Sequence, residues 1–182
     1  MIISDSNEWV AENFVMSEFY SGSPDAPAEH FLDGRLITAC QTIRDWFGVP
    51  VRITSTYRTE SHNSMVGGSS SSQHLYGLAV DFQFTENNDE NLAELHRHIK
   101  LGGDLAYQLA DSGIRGFGFY NTFAHIDVRT QDGSGDSIAH GDFVTWGSSP
   151  FDILSGVGEE GFLAVGKDNW KAICVIGLLL MA

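Results

Sequence analysis

Residues 78 to 84, Leu-Ala-Val-Asp-Phe-Gln-Phe, form an apolar run that carries a carboxylate near its centre. An apolar run of this length is typical of a buried β-strand. A charge inside such a strand is costly unless it has a partner. Asp81 therefore needs a structural or functional reason to be there, and the surrounding sequence has to supply its partners.

Helical and strand patterns alternate along the rest of the chain. The predicted elements are a helix at residues 28–47, a strand at 51–55, a polar loop at 56–73, a strand at 78–84, a helix at 89–112 that breaks near Gly102, and strands at 114–120 and 123–129. This order predicts an α+β domain built on a small antiparallel sheet that is flanked by helices.

The length of 182 residues suits one domain and is too short for two well-built ones. We predict a core at residues 1–130. In the remaining segment, 131–182, residues 133–166 are rich in Gly and Ser and are predicted to be irregular. Trp170 to Ala182 is apolar, but its 13 residues fall short of the roughly 20 that span a bilayer as a helix. Three interpretations of this apolar segment remain open. In order of preference they are a core-packing helix, a short membrane-inserting segment and a contact with a partner chain.

Ten basic against 24 acidic residues give a formal charge of -14, which repels nucleic-acid phosphates, so nucleic acid is not an expected partner. The two cysteines, Cys40 and Cys174, lie too far apart in sequence for a CxxC metal site. Any metal would have to use histidines and carboxylates. The early acids Asp5, Glu8 and Glu12 are unlike a secretory signal, so we expect another route of delivery if the protein acts outside the cytoplasm.

Candidate metal ligands occur in two segments. His74 ends the polar loop, and a turn at Gly77 can bring it to Asp81, seven residues further on. Taken singly, His74 is better explained as an ordinary loop histidine, and Asp81 as a strand residue bonded to a backbone amide. The second segment, 123–129, alternates apolar and polar residues, so His125 shares one strand face with the acid and the arginine that follow it.

If the two strands are neighbours, His125 faces Asp81. Two imidazoles and one carboxylate, with a fourth position left to water, are the ligand set of a catalytic zinc site. In such a site the metal acidifies water and polarises a carbonyl group.

Two stretches resemble the D-alanyl-D-alanine metallopeptidase family, which belongs to a wider group with lysostaphin-type enzymes and the hedgehog signalling domain. They are ITSTYRTESHNSMVGGSSSSQHLYGLAVDF at 53–82 and GFGFYNTFAHIDVR at 116–129. The family signature, S-x-H-x-x-G-x-A-x-D and a distant strand histidine, is matched in order by Ser72, His74, Gly77, Ala79, Asp81 and His125. The resemblance covers roughly residues 13 to 130. Further similarity, at Asn13-Phe14, Glu18-Phe19, Tyr57-Arg58, His62-Asn63 and Gly67-Gly68, is to a branch with small phage and envelope peptidases.

The resemblance implies a zinc ion on His74, Asp81 and His125. It also implies hydrolysis of peptide bonds in or beside the D-amino-acid stems of peptidoglycan, by a carboxypeptidase or endopeptidase acting at the bacterial cell envelope. Two alternatives stay open. The domain could bind cell-wall peptides with zinc kept for structure, or it could be a structural protein of a phage particle or envelope assembly.

The chain departs from the family at two positions. Many members have an acid three residues before the last zinc histidine, as general base, and often a histidine two residues before it. Here those positions hold Thr122 and Phe123. Asp127 is the best local replacement as base, because it shares the strand face of His125. Equally, it could be an acceptor that orients the ligand histidine.

Arg58 is the candidate for holding the substrate's carbonyl oxygen or carboxylate, since its fork of donors suits both and the family has an arginine there. Tyr57 beside it and Ser72 are further candidates for substrate contacts, although Ser72 could merely cap the turn. Glu60, His62 and His140 are weaker candidates, because such residues are more often solvated loop positions.

Overall fold

The computed structural model describes residues 1–132, 137–139 and 141–147. The strands in this part of the chain are β1 (Ile2–Ser4), β2 (Trp9–Ala11), β3 (Phe14–Val15), β4 (Glu29–Phe31), β5 (Val51–Ser55), β6 (Ala79–Phe84), β7 (Gly116–Phe119), β8 (Ala124–Asp127) and β9 (Val144–Gly147). The α-helices are α1 (Gly34–Phe47), α2 (Glu60–Met65), α3 (Asn88–Leu101) and α4 (Asp104–Asp111), with short 3-10 helices η1 (Met16–Phe19) and η2 (Gln73–Tyr76). The apolar tail and Cys174 lie outside the described residues.

The central sheet has the strand order β5-β6-β8-β7-β9. Its first four strands pair antiparallel, as predicted, whereas β9 pairs parallel with β7. The predicted α+β class with a small sheet is confirmed, and β9 adds one parallel pair at the edge of this sheet. The prediction of irregular structure for 133–166 is wrong at Val144–Gly147, because these residues form β9. The proposed core boundary at residue 130 stays a prediction, although β9 extends the same sheet beyond it.

Side chains alternate between the two faces of this sheet. One face belongs to the hydrophobic core and carries Val80, Phe82, Phe117, Phe119, Ala124 and Ile126. Burying each phenylalanine contributes roughly 1.5–3 kcal/mol. The intervening positions put Asp81, His125 and Asp127 on the opposite face. The alternation thus separates an apolar face that stabilises the fold from a polar face that is free to carry chemistry.

The predicted start of the first helix, at residue 28, is wrong. Residues Glu29–Phe31 instead form β4, which pairs antiparallel with β1. The helix α1 begins only at Gly34, where the side chain of Asp33 accepts a hydrogen bond from the backbone N–H of Arg35 at 3.0 Å. This capping bond satisfies an N–H that has no partner within the helix. Strand pairing and the cap therefore override the helical spacing of the preceding residues.

The polar loop predicted at 56–73 contains the short helix α2, capped by the Thr59 side chain, and the start of η2. The second predicted helix is two helices, α3 and α4, and the break is where it was expected, at Gly102 with φ 69°. Among the described residues, no helix is both long and apolar enough to cross a membrane.

Candidate metal centre

Sheet register brings two of the predicted ligands together. Asp81 on β6 lies directly opposite His125 on β8. His74 comes from η2, which ends at Gly77 in the left-handed conformation with φ 66°. A Cβ at Gly77 would lie 2.0 Å from the carbonyl oxygen of Phe31, so only glycine fits this turn without a shift. The turn reverses the chain immediately before β6 and lets His74 reach Asp81.

The three side chains meet at one point. Oδ1 of Asp81 lies 2.7 Å from Nδ1 of His125 and 3.1 Å from Nε2 of His74. The two ring nitrogens are themselves 3.1 Å apart. Tetrahedral zinc with bonds of about 2.0–2.1 Å sets its ligand atoms about 3.3 Å apart, so adjustments of a few tenths of an ångström suffice. This buried His-Asp-His group could hold a metal ion.

The outer nitrogen of each histidine has its own acceptor. Nδ1 of His74 lies 2.5 Å from the carbonyl oxygen of Thr56, and Nε2 of His125 lies 3.1 Å from Oδ2 of Asp127. With the outer nitrogens donating these hydrogen bonds, His74 Nε2 and His125 Nδ1 can give up their protons and offer lone pairs to a cation beside Asp81. Three lone-pair donors in one place fit a bound cation, and such outer contacts are typical of metal-binding histidines.

Burial and mutual contact control protonation in this group. Burial raises the pKa of Asp81, but hydrogen bonds from His125 and His74 outweigh it and hold that pKa well below the ordinary value. Burial lowers the pKa of His74. Burial also lowers the pKa of His125, but hydrogen bonds to Asp127 and Asp81 raise it above the ordinary value. Asp81 is therefore a carboxylate at neutral pH, the form that binds a metal.

Arg58 contacts the second oxygen of Asp81. Its Nη2 donates to Oδ2, and its Nε donates to Oγ of Ser55 at 2.8 Å. The backbone N–H of Arg58 also donates to the carbonyl of His74 at 3.0 Å. Charge-assisted bonds of this kind fix a carboxylate in one orientation. Arg58 thus leaves Oδ1 of Asp81 facing the two histidines.

A cavity of about 1100 Å³ opens onto these residues. Its lining includes the glycine- and serine-rich loop after α2 and three aromatic side chains. The lining residues are Arg58, Val66, Gly67, Gly68, Ser69, Ser71, Ser72, Gln73, His74, Asp81, Tyr120, Phe123, His125, Arg129, Thr130, Gln131, Asp132 and Trp146. The candidate ligands are therefore buried yet reachable from a space large enough for a peptide.

A family model described as peptidase M15 matches residues 13–127, well over half of the chain. The chain belongs to the peptidase M15 family. The resemblance seen in the sequence is thereby confirmed at the level of the family, and the phage or envelope branch stays a prediction. No curated protein sequence matches the chain. The match includes His74, Asp81 and His125 and ends at Asp127, so β9 lies beyond it.

Within this M15 peptidase, the three predicted substrate contacts fall in different places. Arg58 and Ser72 line the cavity, and the Ser72 side chain makes no capping bond to η2. Tyr57 stacks on His30 with 5.3 Å between ring centroids, and it is not among the described residues that line the cavity. The placement of Tyr57 favours a packing role over the predicted substrate contact.

Asp127 lies behind His125. Its carboxylate is fully buried, accepts from Nε2 of His125, and receives hydrogen bonds from Nε and Nη2 of Arg129 at 2.5–3.0 Å. Burial raises the pKa of Asp127, but hydrogen bonds from Arg129 and His125 outweigh it and lower the pKa to about 2. A base must reach the reacting water, whereas Asp127 contacts the ring nitrogen that faces away from Asp81. These contacts support the orienting role and argue against the general-base role.

The remaining candidates offer no base in the positions that the family would use. Phe123 stacks on the adjacent Tyr120 and lines the cavity, and the carbonyl of Thr122 accepts from Asn88. Glu60 and His62 belong to α2 and are not among the described residues that line the cavity. His140 lies outside the described residues.

Two residues that line the cavity were not predicted from the sequence. Asp132 is the one carboxylate besides Asp81 among the described lining residues, and Trp146 reaches the cavity from β9. Nothing in the local sequence marks Asp132, which lies in an irregular stretch. The alternation of Val144 and Trp146 with Thr145 hinted at a strand, but four residues in a Gly- and Ser-rich segment are too short a signal.

Proposed function

We propose that this M15 peptidase uses zinc to hydrolyse peptide bonds in the stem peptides or cross-links of peptidoglycan. The observation that carries the proposal is the convergence of His74 Nε2, Asp81 Oδ1 and His125 Nδ1 in a buried group. Two imidazoles and one carboxylate are the ligand set of hydrolytic zinc sites with an open position. The family match adds a peptidase framework around that group.

A zinc ion in such a site would supply Lewis acidity toward a peptide carbonyl and toward water. The protein's own residues prepare for it. Thr56 and Asp127 orient the two histidines, and Arg58 orients Asp81. The ligand atoms therefore need little rearrangement on metal binding, and this preorganisation favours affinity.

The cavity suits a peptide substrate. Its volume, about 1100 Å³, is slightly above the roughly 300–1,000 Å³ typical of small-molecule sites and can take several residues. Backbone and hydroxyl groups of the loop at Ser69–Ser72 offer hydrogen bonds to a peptide backbone. Asp132 on the cavity wall is the proposed proton acceptor, in place of the family acid that is absent at Thr122. Arg58 is the proposed contact for the substrate's oxygen or carboxylate.

The proposed substrate places the protein at the bacterial cell envelope. Its acidic charge of -14 makes nucleic acid an unfavourable partner. The apolar segment Trp170–Ala182 remains a proposed contact with a membrane or with another protein. A role as endolysin or wall-remodelling enzyme follows from the proposed chemistry.

Incubation of purified protein with muropeptides, with and without a chelator, tests the proposal. We expect chelator-sensitive hydrolysis and one zinc per chain, lost in His74→Ala and His125→Ala. His98→Ala is the matched control, because His98 contacts Trp46 and Glu94 outside the cavity. Mass spectrometry of the products assigns the bond and separates carboxypeptidase from endopeptidase action. Wild-type zinc content in both ligand variants would refute the site, and zinc binding without hydrolysis would favour the binding-module alternative.

A further inference from the structure

The edge strand β9 delivers one large side chain to the metal centre. The Trp146 ring lies 5.2 Å from the His125 ring, and the guanidinium carbon of Arg129 lies 4.5 Å from the indole centroid. The indole Nε1–H donates to the hydroxyl of Tyr120 at 3.1 Å. Trp146 is thus held by a ring contact, a cation–π contact and a hydrogen bond.

These contacts complete a chain that leads to a candidate ligand. Trp146 packs on the guanidinium of Arg129, and Arg129 donates hydrogen bonds to both carboxylate oxygens of Asp127. Asp127 in turn accepts a hydrogen bond from the outer nitrogen of His125. Each step restricts the next one. The last step fixes the ring orientation in which Nδ1 of His125 faces Asp81.

The neighbouring strand is shaped to receive the indole. Gly118 on β7 pairs with Trp146 on β9, and a Cβ at Gly118 would lie 2.7 Å from the indole Nε1. The adjacent Gly116 has the same relation to the carboxylate of Asp127, where a Cβ would lie 2.3 Å from Oδ1. Because the two glycines have no side chains, the indole and the carboxylate can pack directly against the backbone of β7. A side chain at either position would displace the contact chain.

We propose that Trp146 is a positioning residue that clamps the Arg129–Asp127–His125 chain and thereby raises the affinity of the metal centre. The inference rests on the proposed zinc site. It gives β9, which lies beyond the family match, a function in that site. Without the indole, Arg129 loses one covering face and water gains access to the bonds that orient His125.

Competition with a chromophoric zinc chelator measures the affinity directly, without reference to activity. We expect Trp146→Ala to bind zinc about 10- to 100-fold more weakly, as is typical when an outer contact of a metal ligand is lost. Trp146→Phe keeps an aromatic face against Arg129 and should recover most of the affinity. Trp9→Ala is the control, because Trp9 on β2 is 68% exposed and outside the described cavity lining, and it should bind zinc as the wild type does.

The zinc dependence of turnover adds a readout that a general loss of structure would not match. Trp146→Ala should need more zinc than the wild type to reach half of its own maximal rate, because its zinc affinity is lower. Gly118→Ala provides an independent displacement of the indole and should weaken zinc binding in the same direction, even if Trp146→Ala fails to fold. Unchanged zinc affinity in Trp146→Ala or in a folded Gly118→Ala would overturn the inference. A wild-type protein that binds no zinc would instead overturn the proposed function.

Discussion

Asp127 accepts a hydrogen bond from Nε2 of His125 at 3.1 Å, on the opposite side of the imidazole from the nitrogen that faces Asp81. This relationship supports a role of Asp127 in orienting a candidate metal ligand. Its neighbour Arg129 occupies both carboxylate oxygens, and the carboxylate is fully buried. The variant Asp127→Asn distinguishes the orientation of His125 from proton transfer by Asp127.

We expect Asp127→Asn to weaken zinc affinity about 10- to 100-fold, because a neutral amide is a poorer acceptor for the imidazole and a poorer partner for Arg129. Chelator competition measures the affinity, and muropeptide turnover is then followed at saturating zinc. Turnover should approach the wild-type value under those conditions. Lost turnover with unchanged zinc affinity would restore Asp127 as the base.

Asp132→Asn should show the converse behaviour. As a general base, Asp132 would contribute about 10²–10⁴-fold to the rate, and its loss should leave zinc content and melting temperature unchanged. Asp5→Asn removes the same charge from an exposed position outside the described cavity lining and is the control. If turnover in Asp132→Asn equals that of the control, the proton acceptor has to be another residue.

The sequence predicted that His74, Asp81 and His125 come together because local rules control their placement. Period-two alternation gives His125 its strand face, and a glycine turn brings His74 back to Asp81. The role of Asp127 was not decidable in this way, because it depends on which ring nitrogen of His125 faces the site. The rotamer of the side chain and the acceptor of its outer nitrogen decide which nitrogen faces the site. For His74 that acceptor is the carbonyl of Thr56. No sequence pattern encodes either of them.

Long-range pairing explains the other errors. β4 lies inside a helical pattern but becomes a strand because it pairs with β1, which is 29 residues earlier at the Ile2–Phe31 pair. β9 joins β7 in parallel only after a long connection, and a four-residue strand carries almost no periodic signal. Tertiary pairing overrides local propensity in both cases.

We expect His30 to make the folding stability sensitive to mild acid. The residue is only 5% exposed, and its ring contacts the rings of Tyr20 and Tyr57, with centroid distances of 5.5 and 5.3 Å. Burial lowers the pKa of His30, and a backbone contact with Phe19 offsets part of that effect. Below the ordinary histidine value of 6.5 the unfolded chain gains a proton that the folded state resists, so folding stability falls as the pH drops through that value.

Replacement by a ring that cannot titrate tests this. His30→Phe keeps the aromatic contacts, so we expect a smaller loss of stability between about pH 7.5 and 5.5 than in the wild type. Urea unfolding at several pH values, with chelator present so that metal binding does not contribute, measures the difference. Parallel pH profiles of the two proteins would show that His30 does not titrate on unfolding in this range.

Alanine substitutions at Gly77 and Gly48 distinguish the cost of backbone strain from the cost of a steric clash. Both have positive φ, 66° and 63°, but a Cβ at Gly48 would meet nothing within 4 Å, whereas a Cβ at Gly77 would meet the Phe31 carbonyl oxygen at 2.0 Å. Gly48→Ala should lose about 1–2 kcal/mol of unfolding free energy, the cost of a left-handed residue with a side chain. Gly77→Ala carries the same strain and must also move β4 or the turn, which adds about 1–3 kcal/mol.

The movement of the turn in Gly77→Ala should also affect the candidate metal centre. Gly77 joins η2, which carries His74, to β6, which carries Asp81. Zinc affinity should therefore fall in Gly77→Ala and remain unchanged in Gly48→Ala. Urea unfolding in the presence of chelator gives the two free energies, and chelator competition gives the two affinities. Equal losses of stability, with zinc affinity retained in both variants, would mean that the turn relaxes around the added methyl group. In that case the approach of Gly77 to Phe31 would not be what positions His74 beside Asp81.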